Sequence, residues 1–215
     1  MIEEITLEGM LPEVFASESI PLSDVWKTDL KFRKGEFYLV EAASGGGKSS
    51  MCSFIYGARI DFQGRLLFDG TDTSGFSIDK WQKLRRESLA YLPQELSLFP
   101  ELTAMQNIEL KNSLTGYVEK GRIEEWLHVL GIDSRRDYPV GRMSVGQQQR
   151  VGLIRSVCQP FDFILLDEPV SHLDEENNRK AAALIMDEAR RRGAGIISTS
   201  VGNPLLLENP TRLRL

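Results

Sequence analysis

The sequence predicts an α/β fold with a small antiparallel sheet and a helical insertion, and three observations predict it. Compact apolar runs at residues 37–40, 161–166 and 195–199 have the length and density of strands buried on both faces. Helical patterns follow the first two of them. A glycine-rich segment, Ser44-Gly45-Gly46-Gly47-Lys48-Ser49, lies between the first such strand and the first helix.

Residues 28–32 alternate between polar and apolar, and Arg33-Lys34-Gly35 reads as a turn into the strand at 37–40. After the glycines, Met51, Phe54, Ile55 and Ala58 fall at i, i+3, i+4 and i+7 and predict one buried helix face. Residues 64–68 followed by Asp69-Gly70 predict a strand entering a tight turn, which with the early strands makes the antiparallel sheet. Residues 95–142 are helical in pattern, with Ile123, Trp126, Leu127 and Leu130 on one face and Gly131 as a stop.

Val151, Ile154 and Cys158 mark the inner face of the helix after Gly146. Asp174 caps a helix that opens with Glu175 and Glu176 and closes with Arg190, Arg191 and Arg192 before Gly193, an order that suits the helix dipole. The chain thus reads as one domain over 1–215. Segments 1–94 and 143–215 form the core with its antiparallel subdomain, and 95–142 the helical subdomain.

The 215 residues suffice for one substantial core. Apolar content of 41% and charged content of 27% are those of a globular protein. A net charge of −5 argues against nucleic acid as the main ligand. No apolar run approaches the ~20 residues that span a bilayer, and the acidic start Met1-Ile2-Glu3-Glu4 lacks the pattern of a signal peptide. Cys52 and Cys158 are too few for a disulfide framework or metal site and read as buried thiols.

Gly45, Gly46 and Gly47 allow successive N–H groups to turn around phosphate oxygens, Lys48 reaches β and γ phosphates, and the Ser49 hydroxyl suits magnesium. The segment resembles a phosphate loop and predicts a P-loop NTPase (RecA-like) core. Ala42 stands where the pattern G-x-x-x-x-G-K-[ST] has its first glycine, a change tolerated unless φ there must be positive. Asp167 and Glu168 end an apolar strand, where α/β sheets place ligand-binding groups. Ser144-x-x-Gln147 is a capping box, and the helix start it caps is also an anion site.

Four motifs in fixed order resemble the ATP-binding subunits of ABC transporters, over about residues 5 to 203. They are the glycine loop through Ser50, Tyr91-Leu92-Pro93-Gln94, Met143-Ser144-Val145-Gly146-Gln147, and the 163–169 run ending in Asp167-Glu168-Pro169. Ser171-His172-Leu173-Asp174 resembles the family's D-loop. Leu84-Arg85-Arg86, Leu102-Thr103-Ala104 and Asn107-Ile108, with Gly146-Gln147-Gln148-Gln149-Arg150-Val151, are most similar to the lipoprotein-release, macrolide-export and cell-division type.

The resemblance implies ATP and Mg²⁺, the metal meeting Ser49, Gln94 and Asp167. It implies Glu168 as catalytic base, assisted by Lys48 and by Gln94 as γ-phosphate sensor. Ser144, Gly146 and Gln147 would meet ATP held by an opposite subunit, in a homodimer or a heterodimer with a related ATPase. A transmembrane transporter subunit would hold the protein at the cytoplasmic face of the membrane.

Two departures stand out. Val145 puts a branched side chain where the family signature Leu-Ser-Gly-Gly-Gln has none. The family's γ-phosphate histidine is missing, its place taken by Ser200 or Val201, and His172 is no positional replacement. Phe15 is the candidate adenine stacker, or a plain core or surface phenylalanine. A nucleotide-gated subunit with little turnover is the alternative reading. A soluble ATPase acting on nucleic acid or translation is disfavoured, since this chain has no room for tandem domains or long coiled insertions.

Overall fold

The computed structural model describes residues 1–17 and 22–215. Five parallel strands build the central sheet: β3 (Phe37–Glu41), β6 (Leu89–Leu92), β7 (Phe163–Leu166), β8 (Gly195–Ser200) and β9 (Thr211–Arg214), in the order β6-β7-β8-β3-β9. β1 (Glu4–Pro12), β2 (Asp29–Arg33), β4 (Phe62–Phe68) and β5 (Thr71–Asp72) form the predicted antiparallel sheet, in the order β2-β1-β4-β5.

The apolar runs are continuous because both faces of the parallel sheet are covered. Ile164, Leu166 and Ile196 point into a core shared with the helices, whereas Phe163, Leu165 and Ile197 point into a second core shared with the antiparallel sheet. Alternation would have left one face wet.

The helix after the glycines, α1 (Lys48–Ile55), is shorter than its pattern predicts. Met51, Phe54 and Ile55 are buried, but Gly57 turns the chain at φ 69° and Ala58 is exposed beyond the end. α2 (Ile78–Glu87) follows the antiparallel sheet. In the segment expected to be helical, α3 (Ala104–Asn112) and α4 (Lys120–Val129) form, and Gly131 at φ 64° ends the turn after Leu130.

α5 (Val145–Ser156) packs against both α3 and α4, joining Ile154 and Val151 to Ile108 and Trp126 in one core. Cys158 is buried just past the end of α5 rather than within it. α6 (Glu175–Arg192) begins at Asp174, whose carboxylate accepts from the Asn177 N–H, and ends at left-handed Gly193 as its sequence predicts.

One end of the sheet collects the motifs. With all five strands parallel, the carboxyl ends of β3, β6, β7 and β8 lie together. The glycine loop, Gln94, Asp167-Glu168 and the 200–202 turn therefore converge from four separate parts of the chain.

Candidate functional site

The glycine loop joins β3 to α1 without a side-chain cap, so the first N–H groups of α1 are left for an outside acceptor. Gly45 and Gly47 hold φ of 85° and 93°. At Gly47 a Cβ would also stand 3.0 Å from the Phe15 ring and 3.1 Å from Trp26, so only glycine fits. Ala42 has no positive φ, which meets the condition for its tolerance. The Trp26 indole donates to the Gly46 carbonyl at 3.1 Å and steadies the loop.

Lys48 is the first residue of α1, and its buried ammonium lies across the loop. Nζ donates to the carbonyls of Ala43 (3.0 Å) and Ala42 (3.3 Å) and stands 3.9 Å from Glu168 Oε1. Ser44 and Ser49 are exposed, while Ser50 accepts from Arg59 at 3.0 Å.

Asp167 and Glu168 follow β7 directly. Asp167 is 1% exposed; its Oδ1 accepts the Thr199 hydroxyl at 2.7 Å, whereas Oδ2 is buried with no partner among the described residues. Glu168 sits in the left-handed region at φ 50°, its N–H donating to Thr199 Oγ1 at 3.1 Å. The Gln149 amide from α5 donates to the Glu168 carbonyl and to Ser171, and Gln149 Oε1 accepts the His172 N–H. A non-glycine residue at positive φ is strained, and here two side chains hold it in place.

A cleft of about 350 Å³ opens beside Glu168, and Asp167 is not among its lining residues. The glycine loop from Ser44 to Ser50 makes its floor, Gln94 and Glu168 face it, and Val14 and Phe15 form one side. A Mg²⁺ ion favours few protein oxygens supplemented by substrate phosphate and water. This chain fits that habit: the buried Oδ2 of Asp167 lacks a partner among the described residues, and the Ser49 hydroxyl is exposed.

Ser144, Gly146 and Gln147 do not line this cleft. They begin α5, where the Ser144 and Gln147 side chains cap each other's backbone N–H groups. A Cβ on Gly146 would come within 3.0 Å of the His172 carbonyl, so its glycine serves packing against the Ser171-His172 turn. Val145 is 51% exposed at the tip. The His172 ring hydrogen-bonds to its neighbour Ser171 at 3.0 Å. Ser200 is buried at the end of β8 beside Glu41, its hydroxyl unpartnered, and Val201 faces outward. Burial and the nearby Asp167 charge push the Cys52 thiol well above its ordinary range, as expected of an inert structural thiol.

Sequence reasoning missed Thr199, Gln149 and Trp26. Only the buried oxygen and amide partners reveal the first two, and those partners are distant in sequence.

The model of the family "ABC transporter" matches residues 25–171. The ABC transporter ATP-binding protein YtrE of Bacillus subtilis is 32% identical over 167 residues, covering 76% of this chain and 72% of YtrE. The macrolide export ATP-binding/permease protein MacB of Bartonella henselae is 31% identical over 198 residues, 90% of this chain but 29% of MacB. Among solved structures, the dimeric bacterial ABC transporter cassette MJ0796 superposes with a TM-score of 0.77 at 26% identity, covering 91% of this chain and 87% of that one. With the phosphate loop, the paired carboxylates and the capped α5 all in place on this fold, the chain belongs to the ABC transporter family, as one of its ATP-binding cassettes.

Proposed function

We propose that this cassette binds and hydrolyses ATP with Mg²⁺ and, paired head to tail with a second copy or a related ATPase, powers a transmembrane transporter subunit. The observation that carries the reading is convergence. Lys48, Gln94 and Glu168 face one cleft with the glycine loop, and Asp167, the residue before Glu168, keeps a buried carboxylate oxygen with no partner among the described residues.

The N–H groups of Gly45, Gly46 and Gly47 cradle phosphate, and Lys48 exchanges its weak loop carbonyl contacts for phosphate oxygens. Ser49, Gln94 and Asp167 would hold the metal, which when bound neutralises charge on the β and γ phosphates. Glu168 orients the attacking water and takes its proton. Phe15, at the side of the cleft, is placed to stack on the base.

Val145 and Gly146 at the start of α5 have N–H groups outside the capping box and no acidic side chain in that first turn. That end suits an anion presented by another subunit. No helix among the described residues is long and apolar enough to cross a membrane. We therefore assign membrane work to a partner and place this subunit on the cytoplasmic face. The residues 95–142 serve as its helical subdomain.

The buried, short Ser200 side chain favours a second reading, a nucleotide-gated subunit that turns over little. Steady-state phosphate release under saturating Mg²⁺-ATP separates the two. Slow turnover abolished in Glu168→Gln supports the ATPase; turnover at background in both proteins, with ATP still bound, supports the gate.

A further inference from the structure

Thr199 reaches both residues of the carboxylate pair through one side chain, and neither contact is required by the sheet. β7 and β8 pair Leu166 with Ser198, which sets position 199 beside position 167 at the end of the sheet. The Thr199 side chain is fully buried. Its hydroxyl has one proton, given to Asp167 Oδ1 at 2.7 Å, and accepts the N–H of Glu168 at 3.1 Å. The relay Glu168 N–H to Oγ1–H to Oδ1 therefore has a single direction, and each bond polarises the next.

The consequence falls on the other oxygen. A carboxylate turns freely about its terminal torsion unless one oxygen is held. With Oδ1 occupied by the hydroxyl, Oδ2 is left as the unpartnered atom. The same hydroxyl holds the amide of Glu168 where that residue adopts φ 50°, a conformation it would otherwise leave.

We propose that Thr199 is a positioning residue for the magnesium-dependent reaction: through one hydroxyl it aims Asp167 Oδ2 at the cation site and fixes the backbone of Glu168. This inference rests on the ATPase reading above and adds to it a residue that touches neither nucleotide nor metal. Outer partners of metal ligands commonly account for about 10–100-fold in metal affinity or activity.

The test uses the intact protein and a non-hydrolysable ATP analogue, titrated by calorimetry with and without Mg²⁺, alongside kcat and KM for Mg²⁺-ATP. Thr199→Val keeps the branched shape and removes the hydroxyl; Thr199→Ser keeps the hydroxyl. We expect Thr199→Val to lose about 10-fold or more of the magnesium-dependent gain in affinity and to lower kcat by ~10²-fold, with metal-free affinity unchanged. Thr199→Ser should recover most of both.

A Thr199→Val protein that keeps the wild-type magnesium gain overturns the proposal. So does an equal loss with and without metal, which would mark a purely structural role. Should the valine variant not fold, Thr199→Ala against Thr199→Ser makes the same comparison. Failure of the ATPase reading is separately visible, as a wild-type protein with no magnesium-dependent gain at all.

Discussion

At the scale of single residues, the site is held by groups whose own hydrogen bonds are incomplete. Lys48 donates its hydrogen bonds to two neutral carbonyls at 3.0 and 3.3 Å, with the Glu168 carboxylate farther off at 3.9 Å, a poor substitute for phosphate oxygens. Lys48→Ala should therefore lower ATP affinity by at least ~10-fold, in line with about 1.5–3 kcal/mol for a hydrogen bond to a charged group. Equal affinity by calorimetry would remove Lys48 from the site. Ser200 gives a second residue-level prediction, since its side chain points inward and that of Val201 points out. Ser200→His puts the ring at a buried strand end that it must overfill, costing about 1–3 kcal/mol. Ser200→His should lower the melting temperature while raising steady-state turnover, and Val201→His should change neither; turnover unchanged by Ser200→His would place the missing contact elsewhere. Residues such as these were legible because they sit in contiguous motifs. Thr199 and Gln149 were not, because their partners lie about 20 to 30 positions away and only folding brings them into reach.

At the scale of elements, legibility followed burial. β3, β7 and β8 were evident as apolar runs because each is covered on both faces, and α6 because its caps and charges agree. β9 was not read, since only Leu213 of its four residues is buried and the rest is the charged edge of a sheet. β6 has only four residues, and α2 packs Trp81 and Leu84 half-buried against the second core among long charged side chains, a face that went unread. α3 shows how an element is fixed by something other than its pattern. Asn107 is fully buried; its amide donates to the carbonyls of Phe99, Leu102 and Thr103 and its oxygen accepts the Phe99 N–H. It thereby fastens the loop after Gln94 to the helical layer. Asn107→Ala orphans that buried backbone and should destabilise the protein by about 2–3 kcal/mol, read as a lower urea midpoint. An unchanged midpoint would mean that water replaces the amide fully.

At the scale of the whole molecule, the cleft and the start of α5 are two incomplete halves on one chain. The cleft has the glycine loop and Lys48 at its floor, whereas Ser144, Val145 and Gly146 present a helix start outside it. Two chains arranged head to tail would complete both, with ATP as the shared contact. Mg²⁺-ATP should therefore drive self-association, and Glu168→Gln should prolong it. Glutamine preserves the shape of Glu168 but cannot take the proton of the attacking water, so the closed pair would persist. Val145 tunes the contact in a predictable direction. Its branched side chain is half exposed at the helix tip, where in a head-to-tail pair it would hold the partner's phosphate away from the N–H groups outside the capping box. Val145→Gly lets the backbone approach at a helix-propensity cost of a few tenths of a kcal/mol. In a Glu168→Gln background it should tighten the ATP-dependent dimer several-fold by sedimentation velocity. A chain that stays monomeric with ATP in every variant, even with related ATPase subunits added, would leave the two halves unconnected and the head-to-tail arrangement without support.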